Sequence, residues 1–138
     1  MKKVLSIVCL LALTVCCLFT LVSCGGPNSD PDKALEALKE NGVTWAGKDE
    51  TIIPGALRFL GVKNINCVVT GTGEIEEEYA HITIIYFDSA DDADEYWDEV
   101  EDYAEEKKDD KAEDSEWVCE KSGKMIYYGT KNAVKAAN

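Results

Sequence analysis

The stretch YAHITIIYFDSADDADEYWDEVEDYA, residues 79–104, carries the two strongest secondary-structure signals in the chain. Its first nine residues are dense in β-branched and aromatic side chains, which predicts a strand over 79–87. Ser89 then stands where it can cap a helix, and apolar residues recur at i, i+3, i+4 and i+7. These apolar residues are Ala93, Tyr96, Trp97, Val100, Tyr103 and Ala104. The stretch therefore predicts a strand followed by an amphipathic helix.

Shorter strand signals flank this stretch on both sides. Residues 65–70 are β-rich, and residues 71–78 are predicted to be a loop because two glycines begin it. Residues 116–121 and 124–128 are predicted to form a second hairpin around the two-residue turn Ser122-Gly123. The chain is therefore predicted to contain two β-hairpins, which precede and follow the long helix.

Further helix signals complete the predicted fold. Asp30 and Pro31 are typical of the start of a helix, and Asn41-Gly42 is typical of its end. Residues 52–60 predict a short helical turn, and Thr130 is placed to cap a terminal helix. We predict an α+β fold of order α-ββ-α-ββ-α: a two-layer domain whose two hairpins form an antiparallel sheet, with helices packed on one face.

The N-terminus has the order of charged and apolar residues that is typical of an export signal. Lys2 and Lys3 precede residues 4–22, which are almost wholly apolar. A run of this length is also compatible with an uncleaved membrane anchor, so length alone does not decide. The run ends in Leu21-Val22-Ser23-Cys24, which resembles the lipobox of bacterial lipoproteins.

This resemblance covers only the leader and the first mature residue. It implies that residues 1–23, with Cys9, Cys16 and Cys17, are removed and that the Cys24 thiol receives a diacylglyceryl group. Two acyl chains are enough for stable anchoring. Residues 24–29 are then predicted to be a short tether and residues 30–138 a single domain on the extracytoplasmic face of the cell membrane. The mature part resembles small envelope lipoproteins only in size and layout.

The predicted mature chain of 115 residues is strongly acidic. It has 12 Lys and Arg against 27 Asp and Glu, a net charge of −15 with His81 neutral. Such a field repels nucleic-acid phosphates and anionic lipid headgroups, which argues against nucleic acid as a partner. Another envelope protein or a cationic ligand fits this charge better, and the plain alternative is that acidity keeps the domain soluble. The oligomeric state stays open.

Acidic side chains cover one side of the predicted long helix, but they do not predict a metal site. These residues are Asp91, Asp94, Glu95, Asp98, Glu99, Glu101, Asp102, Glu105 and Glu106. Calcium needs six to eight oxygens that converge on one point, whereas a straight helix spreads its carboxylates outwards. Gly71-Thr72-Gly73 and Ser122-Gly123-Lys124 read as turns and not as phosphate-binding loops. We therefore predict neither a metal nor a cofactor.

Two cysteines and one histidine are the remaining candidates for chemistry. Outside the cytosol, Cys67 and Cys119 could form a disulfide, and the alternative is a pair of buried free thiols. His81 is predicted to share a strand face with Tyr79, Thr83 and Ile85. Zinc would need three or four ligands, and no spacing requires that His81 and the cysteines meet. We predict no catalytic residues.

The predicted domain has more aromatic residues than one face of a sheet can bury: Tyr79, Tyr86, Phe87, Trp97, Trp117, Tyr127 and Tyr128. Strand alternation sends Tyr127 and Tyr128 to opposite faces. Either an aromatic patch is exposed for binding, or the second face is covered by residues 52–60 or by a helix. The patch favours a module that binds an envelope protein or a small ligand, which is the function we predict. The alternatives are a cation-responsive structural or sensor domain and a hydrolase-like enzyme that uses His81 with a cysteine.

Overall fold

The strand predicted at 79–87 forms the centre of a five-stranded sheet. The computed structural model describes residues 26–108 and 116–138; the predicted leader, Cys24 and the polar residues 111–114 lie outside them. The elements in chain order are α1 Pro31–Glu40, β1 Trp45–Asp49, α2 Ile52–Phe59, β2 Ile65–Ile75, β3 Glu78–Phe87, α3 Ala90–Glu95, α4 Trp97–Glu106, β4 Trp117–Ser122, β5 Met125–Thr130 and α5 Lys131–Ala136. The strand order is β1-β2-β3-β5-β4, and all neighbours are antiparallel. The α+β class is confirmed.

The predicted loop at 71–78 is wrong, because β2 continues to Ile75 and pairs with β3 without interruption from Cys67 onward. The turn consists of Glu76 and Glu77, whose φ angles are 52° and 68°. Gly71 reads as a turn residue in isolation but lies in the strand. A Cβ there would lie only 3.3–3.4 Å from the side chains of Val43 and Leu38, so the glycine allows the chain around α1 to approach the sheet closely.

Strand β1 was not predicted from the sequence. Its residues Trp45–Asp49 pair with β2 and place Gly47 opposite Thr70. The stretch WAGKD has no run of β-branched residues, and it lies at the edge of the sheet. Its strand conformation therefore comes from pairing with β2, a tertiary contribution that overrides weak local propensity.

Helices cover both faces of the sheet, so the predicted two-layer arrangement is wrong. Ile84 packs with α1 and α5, whereas the neighbouring Ile85 packs with α2, α3 and α4. We call these two surfaces the α1/α5 face and the α2–α4 face. The unbroken apolar run over residues 84–87 of β3 is the signal for this arrangement, since a strand segment buried on both faces has no polar side.

The helix ends follow the local signals in part. Asp30 caps α1 by accepting a hydrogen bond from the Asp32 N–H at 2.9 Å, and Ser89 caps α3. The predicted long helix is divided at Tyr96, whose ring stacks on Phe87. Thr130 does not cap α5: its hydroxyl instead accepts the backbone N–H of His81 at 3.0 Å. In the last hairpin the turn is one residue later than predicted, at Gly123-Lys124.

Candidate functional site

The exposed large apolar side chains of the described residues are concentrated in one short part of the chain. Phe59 is 91% exposed, Ile52 78%, Trp45 57% and Leu60 48%. None of the sheet aromatics that were candidates for a binding patch is exposed in this way; Tyr127 and Tyr128 are both buried. The second sheet face is covered by α2, α3 and α4. Of the two alternatives predicted from the sequence, this is the covered second face and not the exposed aromatic patch. The exposed apolar surface therefore belongs mainly to α2.

Helix α2 has apolar residues on both its inner and its outer side. Leu57 is fully buried in the core of the α2–α4 face, and Ile53 packs against the same cluster. Ile52 and Phe59 are seven positions apart and share the outer side of the helix. We call Ile52, Phe59 and Leu60, with the adjacent Arg58, the α2 patch. Because α2 is apolar on its inner and its outer side but packs on the sheet only with the inner side, its outer side leaves apolar surface exposed.

The sequence around the α2 patch differs in charge from the rest of the chain. Residues 51–73 contain no Asp or Glu, although the whole chain has 27 of them. The same segment has two cations, Arg58 and Lys63, and both are exposed. Within a domain whose net charge is −15, this segment therefore differs from the rest: it carries two positive charges and exposed apolar side chains. Local sequence patterns did not predict this site; the absence of acidic residues over 51–73 is the signal that could have indicated it.

Asp49 fixes the start of α2. Its carboxylate accepts hydrogen bonds from the backbone N–H groups of Thr51, Ile52 and Ile53 at 2.9–3.0 Å. Burial acts to raise the pKa of Asp49, but these three donors outweigh burial and lower the pKa below its ordinary value of 3.8. Asp49 thus satisfies N–H groups that have no partner within the helix and orients the patch.

We expect Asp49→Ala to destabilise the domain by about 0.5–2 kcal/mol at neutral pH, the usual range for a lost helix cap. Because the folded-state pKa of Asp49 is lowered, its stabilisation is present above the unfolded-state pKa and is lost as pH falls through the folded-state pKa. Urea unfolding from pH 7 to pH 2 should therefore show a smaller acid-induced loss of stability in the variant. Equal acid sensitivity in both proteins would contradict this role.

Two clefts lie beside these elements. One of about 240 Å³ lies between the start of α2 and β2 and is lined by Asp49, Glu50, Pro54, Arg58, Ile65, Asn66 and Cys67. The other, of about 350 Å³, lies between α1, α5 and the β2–β3 turn and is lined by Asn41, Gly42, Glu74, Ile75, Glu76, Asn132, Lys135 and Ala136. His81 lines neither of these two clefts.

His81 lies in a cluster of hydroxyl groups and aromatic rings on the α2–α4 face. Its Nδ1 is 3.0 Å from the hydroxyl of Thr72, and its ring is stacked on Trp117 with centroids 6.1 Å apart. The indole N–H of Trp117 is enclosed and has no hydrogen-bond partner in the described part of the chain. Water does not reach that atom, so this part of the cluster is closed.

The predicted grouping of His81 with Thr83 and Ile85 on one face is confirmed, since Thr83 and Ile85 pair with Thr70 and Val68 on that face.

Cys67 and Cys119 are free thiols, which contradicts the disulfide alternative. Cys67 packs on the α1/α5 face, Cys119 packs on the α2–α4 face, and two strands separate them. Three strand spacings of about 4.8 Å far exceed the distance that a disulfide can bridge. Burial raises the pKa of the Cys119 thiol to about 11, with the carboxylates of Glu101, Glu105 and Glu120 contributing.

The same geometry weighs against a histidine–cysteine pair. Cys67 is on the opposite face from His81, and β5 lies between the strands that carry His81 and Cys119. A thiol of raised pKa is a weak nucleophile at neutral pH, since the thiolate is the reactive form.

We expect the mature Cys24→Ser protein to contain two reduced thiols without added reductant. Maleimide should add twice to the unfolded protein and only slowly to the folded protein at pH 7, because burial raises the pKa of both Cys67 and Cys119. Intact mass measurement with and without denaturant checks this. A species 2 Da lighter that reacts only after reduction would show a disulfide and overturn the arrangement.

The acidic side chains of α3 and α4 do not converge. Within residues 26–108 and 116–138, no three His, Cys, Asp or Glu side chains are grouped so that they could hold a metal ion. Asp94 pairs with Lys121 of β4, and Asp92 accepts a hydrogen bond from the Asn64 amide at 2.9 Å. These contacts join α3 to strand β4 and to the chain between α2 and β2.

Residues 26–28 pack against the α1/α5 face. Pro27 is buried, and the Asn28 N–H donates to the carbonyl of Ala137 at 2.8 Å. The Tyr86 hydroxyl donates to the Asn28 carbonyl at 2.8 Å. A Cβ on Gly26 would lie 3.0 Å from the hydroxyl of Tyr127, so this glycine touches the same face. The chain that follows the predicted lipidation site is therefore held on the domain.

The chain matches no protein-family description, no curated protein and no solved structure. Among the helices of the described residues, none has both the length and the apolar content needed to cross a membrane. The assignment of function therefore depends on the α2 patch, on the N-terminal segment and on the sequence signals.

Proposed function

We propose that the protein is a lipid-anchored extracytoplasmic interaction module that binds a second envelope protein through the α2 patch. The anchor rests on the lipobox that ends at Cys24 and on the leader before it. The binding role rests on one observation: Phe59 and Ile52 leave most of their surface in water although the rest of the apolar core is well buried. Contiguous exposed apolar surface on a small soluble domain is typical of an interaction site.

The energy available at this patch is sufficient for recognition. Fully burying a side chain such as Ile, Leu or Phe contributes about 1.5–3 kcal/mol. Phe59 and Ile52 are mostly exposed, so a partner that covers them gains nearly this amount from each. Large apolar side chains of this kind, with a neighbouring arginine, are the usual centres of binding energy in protein interfaces.

The charges of the patch indicate the chemistry of the partner. Arg58 and Lys63 lie in a segment without carboxylates, so a partner surface with acidic residues around an apolar pocket complements both features. A cationic partner, which the net charge favours, would instead bind the acidic helices α3 and α4. The diverging carboxylates there offer attraction without a defined site, so the cation-responsive alternative has less support. The hydrolase alternative has less support because His81 and the cysteines are apart.

The proposal is tested by placing a photo-crosslinking amino acid at position 59 of the full chain in its native envelope. We expect one protein adduct from position 59 and none from position 36, an exposed site on α1. Ile52→Ser should weaken the adduct, since it removes the apolar neighbour on the same helix side. Arg58→Glu should weaken it further, and more strongly at low salt.

A matched stability measurement separates binding from folding. Phe59→Ser should change the free energy of unfolding by no more than about 0.5 kcal/mol, as is usual for an exposed side chain. An adduct that is insensitive to both Ile52→Ser and Arg58→Glu, or the same adduct from position 36, would contradict the proposed interface.

A further inference from the structure

We infer that residues 26–28 fix the lipid anchor to the α1/α5 face, so that the α2 patch points away from the bilayer and its occupant is a protein in the aqueous envelope. This inference rests on the proposed anchor at Cys24 and adds the orientation of the domain and the class of partner. Residues 26–28, which the sequence predicts to be part of a short tether, are held on the domain through Asn28.

The contacts of the segment are all on one side of the sheet. Asn28 is held at both its N–H and its carbonyl, by Ala137 after α5 and by Tyr86 of β3. Gly26 lies against Tyr127, and both tyrosines belong to the core cluster of the α1/α5 face. Asn28 also accepts the N–H of Asp30 on its side chain at 2.9 Å, which connects the segment directly to the start of α1.

The length of chain between the segment and the anchor is small. Cys24 precedes Gly26 by two positions, and two extended residues span only about 7 Å. A lipid proposed on Cys24 would therefore begin within about 7 Å of Gly26, which touches the α1/α5 face. A free six-residue coil would reach roughly 13 Å in any direction and would leave the orientation of the domain unconstrained.

The α2 patch lies on the other side of the sheet. Leu57, on the inner side of α2, is in the core cluster of the α2–α4 face, so Ile52 and Phe59 point outward from that layer. The helix layers on the two sides of a sheet are roughly 20 Å apart between axes, taking about 10 Å for each packed layer. A bilayer that accommodates the anchor beside the α1/α5 face does not cover the patch.

Energy transfer from tryptophan to a dansyl headgroup lipid tests the orientation in vesicles that carry the lipidated mature protein. The native Trp45, Trp97 and Trp117 all lie on the α2–α4 side and give a common background. Phe59→Trp reports on the patch, and Lys135→Trp, an exposed position on α5, reports on the opposite side. We expect Lys135→Trp to add at least about twofold more transfer than Phe59→Trp, given the separation of the layers.

A linker variant is the matched control. A 15-residue Gly-Ser insertion between Gly25 and Gly26 keeps the segment docked but frees the anchor, so the difference between the two tryptophan positions should disappear. Transfer from Phe59→Trp that equals or exceeds transfer from Lys135→Trp, without the insertion, would overturn the inference. Flotation of the protein with the vesicles is measured separately: loss of flotation refutes the anchor and with it the inference, whereas flotation with equal transfer refutes the orientation alone.

The alternative is that the α2 patch binds the bilayer and not a protein. Vesicle binding by the unlipidated Cys24→Ser protein tests this alternative. We expect no co-sedimentation with phosphatidylglycerol and phosphatidylcholine vesicles, because the patch is directed at a protein. Co-sedimentation that is lost in both Phe59→Ser and Arg58→Glu would show that the patch binds lipid, and would overturn the inference.

Discussion

Cys24→Ser is expected to move the protein from the membrane fraction to the soluble envelope fraction or to leave it as the unprocessed precursor. The physical reason is that serine offers no thiol for the diacylglyceryl group, and each buried CH₂ of an acyl chain contributes about 0.8 kcal/mol to membrane binding. Two acyl chains are enough for stable anchoring, so their loss should remove most of the membrane retention. Fractionation followed by intact mass measurement checks both processing and acylation.

The predicted leader contains a matched control for Cys24→Ser. Cys16→Ser and Cys17→Ser change cysteines that do not end the lipobox, so they should leave the mass and the membrane retention of the mature protein unchanged. A wild-type protein with the full-length, unacylated mass, retained at the membrane to the same extent as Cys24→Ser, would show that residues 1–23 act as an uncleaved anchor helix instead.

Gly129→Ala is expected to destabilise the domain by at least about 3 kcal/mol, at the upper end of overpacking effects. A Cβ at this position would lie 2.0 Å from the carbonyl oxygen of His81 and 2.7 Å from the Cα of Ile82. Both atoms are backbone of the central strand β3, which cannot move aside as a side chain could. The φ angle of 149° adds backbone strain for any residue except glycine.

Gly55→Ala is the control for this substitution. Gly55 is within α2, and a Cβ there meets no atom within 4 Å, so alanine should stabilise the helix by about 0.5–1 kcal/mol. Chemical denaturation of both variants beside the wild type measures the contrast. A Gly129→Ala protein that unfolds within about 0.5 kcal/mol of the wild type would show that β3 and β5 do not approach each other as described.

The candidate site was mostly not predictable from local patterns. The exposure of Phe59 depends on which side of α2 meets the sheet, and an apolar helix gives no periodic signal that distinguishes its inner from its outer side. The acid-free stretch over 51–73 was visible in the sequence, but its meaning needed the exposure of Arg58 and its apolar neighbours. The separation of Cys67 from Cys119 likewise follows from strand order, which no sequence spacing encodes.

The sequence by itself determined the elements whose signals are local: the strand at 79–87, the cap at Asp30, the cap at Ser89 and the α+β class. Each depends on side chains within a few residues of one another, so propensity and capping chemistry are sufficient. It also contains residues 21–24, which resemble a lipobox; the cleaved leader and its membrane role stay predictions.

The tertiary structure alone decided which strands are neighbours and which surfaces are covered. Strand β1 exists because β2 pairs with it, β2 continues through Gly71 because β3 holds its register, and helices on both faces bury Tyr127 and Tyr128 alike. These features depend on contacts between residues distant in the chain, whose energies appear only when the sheet is assembled. For the same reason, the position of residues 26–28 on the side opposite the α2 patch could not be derived from the sequence.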